Sequence, residues 1–426
     1  MSRISAAIKK KFWGFMALSL YRKYSHFFLP LCDHLILINV KKLNIPLVVK
    51  VLIAIVLGVA LGHIAPSWAI RATNTFTSLF DQLLKFFIPL IIVGLVTPAI
   101  ADVGQKAGKM LLITVGLAYA FTVFSGLFAY LFSVELFPFV LDTSALGALE
   151  AAGKEFEPYF TIAIPPLMDV MTALVLSFLL GLGIAFSAAR RLHAGFDELK
   201  SIIVRSIEKV IIPLLPFYIF GLFLDMTAAG KVGPVLGSFL TVVAIIFVMT
   251  LVLLVLQYCI AGIVTRQNPF KKLAGMLPAY MTALGTSSSA ATIPVTLKCA
   301  QKNGVSEGVA GFTVPLCATI HLSGSTLKIT SCAIALMLML GIPFDFPTIL
   351  GFVMMLGVTM VAAPGVPGGA IMAALGVLSS ILGFDATQQA LMITLYIAMD
   401  SFGTACNVTG DGAIALIVDK ISRRKS

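Results

Sequence analysis

Eight stretches of this chain stay apolar for about the ~20 residues a helix needs to cross a bilayer, and nothing else limits the fold so strongly. They fall at about 45–64, 76–100, 109–133, 166–189, 207–229, 233–264, 308–341 and 388–419. Unpaired backbone groups are costly in hydrocarbon, so such segments cross as helices that satisfy their own backbone. The expectation is an all-α membrane protein. Composition agrees: 59% of residues are hydrophobic and only 12% are charged, where a soluble domain carries about 25% charged. The net charge of +11 does not point to nucleic acid, because the basic residues lie between apolar segments, as in cytoplasmic loops. Cys32, Cys259, Cys299, Cys317, Cys332 and Cys406 are scattered without CxxC spacing. They read as small core residues rather than a disulfide framework or a metal site.

Two further apolar regions, 268–303 and 347–384, are broken at their middles by LGTSSSAATIP and APGVPGGA. Serine competes for backbone hydrogen bonds, and glycine and proline interrupt helices. Loop charge decides how these regions run. With Lys9, Lys10 and Lys11 inside, the inside loops carry Lys106, then Arg190, Arg191, Lys200 and Arg205, then Arg266, Lys271 and Lys272. Glu135, Asp142, Glu150, Glu155 and Glu157 then fall outside. Taking either broken region as one crossing inverts the signs downstream. Taking each as a re-entrant hairpin leaves Lys298 and Lys302 inside, Asp345 and Asp385 outside, and Lys420, Arg423, Arg424 and Lys425 inside. The layout is therefore eight transmembrane helices plus two re-entrant hairpins, multi-pass in the cell (inner) membrane, with both termini cytoplasmic. Residues 1–44, basic and aromatic, read as a cytoplasmic or interfacial segment rather than a signal peptide, and 421–426 as a basic tail. Hairpins entering from opposite faces form an inverted repeat, which secondary transporters use to build a midplane site.

Asp400, Thr404, Asn407 and Asp411 are spaced i, i+4, i+7, i+11, one stripe of a helix. Two carboxylates on one face inside a membrane bind cations, pair with a base such as Lys328, or reach water at a helix end. Ser287, Ser288 and Ser289 either present hydroxyls and amides to an anion or cap and pack helices. Gly365, Val366, Pro367 and Gly368 are either a lid hinge or turn punctuation. His321, Ser325 and Lys328 are spaced i, i+4, i+7. Lys328 is either buried or snorkels to the interface, and His321 is either a satisfied core histidine or proton-linked.

Four motifs in order, TSSSAATIPVT, VPLCATIHLSGST, GVPGGA and DSFGTACNVTGDG, resemble the dicarboxylate/amino acid:cation symporter family over about residues 45–420. They correspond to its first hairpin tip, broken seventh helix, second tip and eighth helix. The resemblance implies an elevator-type transporter working by alternating access as a homotrimer. Helices 1–2 (45–100) and 4–5 (136–232) would form the static scaffold. Helix 3 (101–135) and residues 233–420 would form the moving transport part, with helix 6, hairpin 1 at about 268–303, helix 7, hairpin 2 at about 347–384 and helix 8. It also implies a substrate site of Ser287, Ser288, Ser289, Ser325, Gly365, Val366, Pro367, Gly368, Asp400, Gly403, Thr404 and Asn407, with Asp400 holding a substrate amino group. Sodium would be held among Cys317, Thr319, His321, Asn407 and Asp411, partly by backbone carbonyls, since hard cations want oxygen ligands.

The departures from the family pattern matter more than the matches. Relatives for acidic substrates carry an arginine where this chain has Gly403. The usual Asn-Met-Asp-Gly-Thr is here His321, Leu322, Ser323, Gly324 and Ser325, and the third-helix hydroxyl positions are Thr114, Leu117 and Ala118. One cation site is thereby dismantled. Fewer sodium ions than in glutamate-type relatives are expected, with protons as an alternative, and Lys328 and His321 are candidates for a substitute cation or proton site. The expected function is cation-coupled symport of a small neutral amino acid across the lipid bilayer. The alternatives are symport of a dicarboxylate or acidic amino acid, with Lys328 replacing the arginine, and an anion-conducting channel. An intramembrane hydrolase would need a nucleophile elbow, and no GxSxG is present.

Overall fold

The computed structural model describes residues 46–105, 109–141, 156–187, 189–230, 232–363 and 367–423. The expected N-terminal segment 1–44, Lys106, the loop acids Asp142, Glu150 and Glu155, the tip residues Gly365 and Val366, and Arg424 and Lys425 lie outside them. Every element among the described residues is a helix. The first half holds α1 (Leu47–Gly62), α2 (Ser67–Gln105), α3 (Lys109–Val140) and α4 (Val170–Ser187). Next comes α5 (Arg190–Ser206), which runs through a π-helical turn at Ile207–Ile211 into α6 (Ile212–Ala228), and then α7 (Val232–Thr265). The second half is cut shorter: α8 (Pro269–Ala274), α9 (Leu277–Thr286), α10 (Ser289–Lys302), α11 (Glu307–Ile320), α12 (Ser323–Met339), α13 (Phe346–Val361), α14 (Gly369–Leu382), α15 (Ala386–Ala398) and α16 (Asp400–Arg423).

Five helical stretches among the described residues are long and apolar enough to cross a membrane: Ser67–Asp102, Lys109–Val140, Arg190–Ala228, Gly237–Thr265 and Glu307–Met339. The pair α15 and α16 makes a sixth if the 64° bend between them falls within one span. Each of the eight expected spans coincides with a helix or helix pair, so the count turns on how the short α1 and α4 and the bent pair are taken. Phe139, Phe186, Leu240 and Ile263 project outward from the protein, a surface that lipid accepts and water rejects. Inside, Thr122, Ser177, Thr227 and Thr250 donate to the carbonyl four residues back, which satisfies their hydroxyls without a tertiary partner.

The helix starts obey local rules. Asn268 caps α8 with Pro269 following, and Asp345 caps α13 by accepting from the Thr348 amide at 3.0 Å. Asp385 and Gln388 form a reciprocal capping box on α15, at 2.8 and 2.9 Å. The segment between α7 and α11 is a hairpin. Lys272 Nζ donates to the Asn303 carbonyl at 2.6 Å and Asn303 Nδ2 donates to the Lys272 carbonyl at 2.8 Å, so the chain returns to where it left. Between those points α9 packs on α10. The helices α13 and α14 pack together in the same way. Elsewhere α2 lies against α4, α5 and α6, and α1 against α6, while α16 is a hub touched by α3, α7, α9, α10, α11 and α12.

Candidate functional site

Four interruptions of helix meet near the N-terminal half of α16. At the first tip Ser287 is left-handed (φ 49°), which a side chain adopts only at a cost, and Ser288 caps α10 by accepting from the Ala291 amide at 3.3 Å. Between α11 and α12 the backbone opens at His321 (φ −105°, ψ 101°) and Leu322 (φ −124°, ψ 45°). The second tip reaches α14 through Gly368, also left-handed (φ 74°) and therefore suited to glycine. The fourth break is Met399, between α15 and α16. A pocket between these segments is lined by Ser287, Ser289, Thr319, Ser325, Tyr396, Asp400, Thr404 and Asn407, with Ala318, Leu322, Ala363 and Ala370.

Asp400 opens α16 and is buried. Its Oδ2 accepts from the Gly368 amide at 2.9 Å, and its Oδ1 lies 3.7 Å from Lys328 Nζ. Lys328 is 1% exposed, so it does not snorkel. Its ammonium donates to the Met399 carbonyl at 3.2 Å and stands 3.9 Å from the centre of the Tyr396 ring. That carbonyl also accepts from the Gly403 amide at 3.2 Å as the first acceptor of α16, so its second lone pair serves the ammonium, and the ring face adds a cation–π contact. Gly403 makes this possible: a Cβ there would strike Lys328 Cε and Nζ. Around the pair, Ser325 Oγ meets Tyr396 Oη at 2.9 Å and accepts from Asn407 Nδ2 at 3.2 Å. Asn407 Oδ1 accepts from the Gly324 amide at 2.8 Å, which ties the broken α11–α12 crossing to α16.

Asp411 lies on the same helix but in different surroundings. His321 Nδ1 is 2.9 Å from Asp411 Oδ1, both side chains essentially unexposed. His321 stands in the break and faces Asp411, so its spacing from Ser325 and Lys328 does not make one helical stripe. Asp411 Oδ2, His321 Nε2 and both polar atoms of the Gln257 amide are buried without hydrogen-bond partners, and Gln257 and His321 both press against Gly410. Carboxylate and amide oxygens are what a hard monovalent cation takes as ligands. Among the described residues no group of three His, Cys, Asp or Glu side chains could hold a metal ion. Any cation carried here would therefore rely on backbone, amide or hydroxyl oxygens besides Asp411. The Cys317 carbonyl accepts from the His321 amide at 2.8 Å. Thr319 lines the Asp400 pocket rather than joining Asp411, its Oγ1 donating to the Leu316 carbonyl at 2.8 Å. Thr114 likewise spends its hydroxyl on the Met110 carbonyl at 2.8 Å.

Two buried acids, each beside a buried base and flanked by interrupted helices, are an arrangement that membrane transporters use at ion and solute sites. A family model described as the sodium:dicarboxylate symporter family matches residues 47–421. The chain belongs to this family. Among its relatives is the serine/threonine transporter SstT of Streptococcus suis, 30% identical over 344 residues, which are 78% of this chain and 94% of that protein. Membership makes the chain a cation-coupled symporter of an amino acid or a dicarboxylate, a membrane protein with several apolar crossings, and not an enzyme.

Of the residues read from sequence, Ser287, Ser289, Ser325, Asp400, Thr404 and Asn407 share the pocket, and Gly368 reaches it through its amide. Ser288 caps a helix at its rim, and Gly403 lies behind the pocket under Lys328. Pro367 precedes the Gly368 turn, while Gly365 and Val366 are outside the described residues. The reading of sequence missed Tyr396, Ser401, Gln257 and the Met399 carbonyl. Tyr396 stands one turn before Asp400, a spacing that could have drawn it in. Gln257 and Met399 carry no local signal.

Proposed function

We propose that this protein is a secondary active symporter of a small neutral amino acid, working by alternating access and coupled to sodium at fewer sites than glutamate-type relatives. The observation that carries the reading is Asp400. It is a buried carboxylate at the wall of a pocket whose other polar groups are serine, threonine and tyrosine hydroxyls and an amide, with glycine where an arginine for a second carboxylate would stand. In this reading Asp400 holds the substrate α-ammonium, and Ser287, Ser289 and the tip amides receive its carboxylate, strengthened by the N-terminus of α10. Serine or threonine suits the hydroxyl-lined wall, in keeping with the serine/threonine transporter of Streptococcus suis among its relatives. The alternative, a dicarboxylate paired by Lys328, is less favoured because Lys328 does not line the pocket and its ammonium is engaged behind Asp400. A channel has no observation in its favour.

The same reading includes eight spans with two re-entrant hairpins, cytoplasmic termini, placement in the inner membrane and a homotrimer. It also includes a scaffold of α1, α2 and α4–α6 against a moving part built on α3 and α7–α16. Its support is the positive-inside charge pattern and the way α2 packs on α4–α6 while α16 gathers most of the moving helices. Sodium would be cargo near Asp411, where oxygen donors stand unpartnered, with His321 occupying the place of the lost amide and allowing a proton to replace one ion. The test is uptake by proteoliposomes of labelled serine, threonine, alanine, aspartate and succinate, with and without a sodium gradient. Serine or threonine should be concentrated when sodium is outside. Uptake of aspartate or succinate in preference to them would overturn the neutral reading.

A further inference from the structure

Lys328 is the least expected group in the molecule, a lysine at 1% exposure in the hydroxyl-rich first half of α12. A buried ammonium survives only if it is held, and the three groups that hold it are unequal. Met399 offers a carbonyl at 3.2 Å and Tyr396 a ring face at 3.9 Å, and both belong to the end of α15. Asp400 is 3.7 Å away, longer than a hydrogen bond, and its other oxygen is on the Gly368 amide. Asp400 also faces the pocket, while Lys328 does not line it. One carboxylate thus stands between a fixed cation behind it and a space for a solute in front.

We propose that Lys328 is a tethered counter-cation: it neutralises Asp400 in the substrate-free carrier and cedes that carboxylate to the substrate ammonium, keeping its hold on Met399 and Tyr396. This rests on the reading of Asp400 as the ammonium site. The charge balance follows. In the empty site Lys328 pairs Asp400, and in the loaded site the substrate ammonium pairs it while hydroxyls and amides meet the substrate carboxylate, so Asp400 is never without a cationic partner. An empty carrier can then recross without an unpaired charge in low dielectric, where such charge is costly. A substrate with a second carboxylate would leave one negative charge uncompensated, so the same residue enforces neutral specificity. Gly403 is its partner in the design, because any side chain there displaces the ammonium from Asp400.

The experiment compares two modes in proteoliposomes with labelled L-serine: net uptake into empty vesicles, which needs the empty carrier to return, and exchange against internal serine, which does not. In Lys328→Met, net uptake should fall at least about tenfold, as expected when one partner of a buried pair is removed, while exchange stays within about threefold of the unaltered protein. Gly403→Ala, which keeps the lysine but moves it, should show the same split. Equal loss in both modes, or loss in neither, would overturn the proposal. So would failure of both variants to fold, which would mark the pair as structural. If the unaltered protein exchanges no amino acid at all, the reading of Asp400 fails and the proposal fails with it. If it exchanges serine normally and the variants do not split the modes, only the proposal fails.

Discussion

The start and the middle of α16 each carry a buried acid beside a buried base, and the two differ in nearly everything else. At the N-terminal end Asp400 is loosely matched to Lys328 at 3.7 Å, takes a backbone amide, and walls a pocket. Some three turns on, Asp411 is matched to His321 at 2.9 Å and lies outside that pocket, with one oxygen unpartnered. An acid whose base is distant and whose neighbours are hydroxyls can change partner when a solute arrives. An acid sealed against an imidazole beside unpartnered oxygens can only take something small, a cation or a proton. The same residue type on one helical stripe is thus set for two tasks by what the neighbouring breaks bring to it.

The largest effect that would test this division is at Asp400. Asp400→Asn removes the carboxylate from the pocket and also strands the Lys328 ammonium, so amino-acid transport should fall by roughly 100-fold or more. Transport of unchanged affinity in folded Asp400→Asn would show that the solute is held elsewhere and would erase the distinction between the two acids. Next in size is Asp411→Asn. Substrate exchange should survive, with serine affinity at saturating sodium within about tenfold, while the dependence of uptake on sodium flattens. Reversal potentials count the ions directly. A sodium count equal to that of glutamate-type relatives would mean that the site read as dismantled at His321 and Ser323 has been rebuilt from other oxygens.

A smaller and more selective change is Tyr396→Phe. It keeps the ring face under Lys328 but removes the hydroxyl that meets Ser325 at 2.9 Å. One buried neutral hydrogen bond contributes about 1 kcal/mol, so serine affinity should weaken by about fivefold. Tyr396→Leu, which removes the ring as well, should in addition slow net uptake relative to exchange. If phenylalanine and leucine behave alike, the ring has no part in holding the ammonium.

Much of this division is legible before any coordinates. The hydroxyl run at 287–289, the Gly-Pro tip and the spacing of Asp400, Asn407 and Asp411 all mark departures from what a plain apolar helix would contain, and each falls where helices break or a pocket forms. Lys328 is legible as one possible partner of these acids, but the choice among the alternatives is not, for a geometric reason. Whether Lys328 faces lipid, water or an acid depends on where α15 ends relative to α12, and nothing in ALMITLYIAMD marks Met399 as the break. Periodicity puts His321 on a stripe with Ser325 and Lys328 because it assumes unbroken helix. The extended backbone at His321 turns it to Asp411 instead. Tyr396 looks like one more aromatic residue in an apolar segment until its hydroxyl is seen against Ser325. Periodicity finds the acids, and the breaks choose their bases.

The smallest effect tests whether the two acids act independently. Ser287 Oγ and Ser401 Oγ are 2.7 Å apart and tie the first hairpin tip to α16, next to Asp400. Ser401 does not line the pocket, so Ser401→Ala removes the tie and leaves the pocket hydroxyls in place. The tip would then hold its left-handed Ser287 with less support. A partly exposed hydroxyl pair contributes about 0.5–1 kcal/mol, so the apparent affinity for serine should weaken by roughly two- to fivefold. Ser287→Ala should cost more, because it removes both the tie and a hydroxyl at the pocket wall. Ser287→Gly separates the two contributions, since glycine relieves the backbone cost of the left-handed tip while deleting the same hydroxyl. In all three variants the steepness of sodium dependence should match that of the unaltered protein, because the Asp411 end shares no contact with the tie. A change of sodium dependence in Ser401→Ala would show that the tip and the cation end move as one unit, and the contrast between the two acids would then describe one site rather than two.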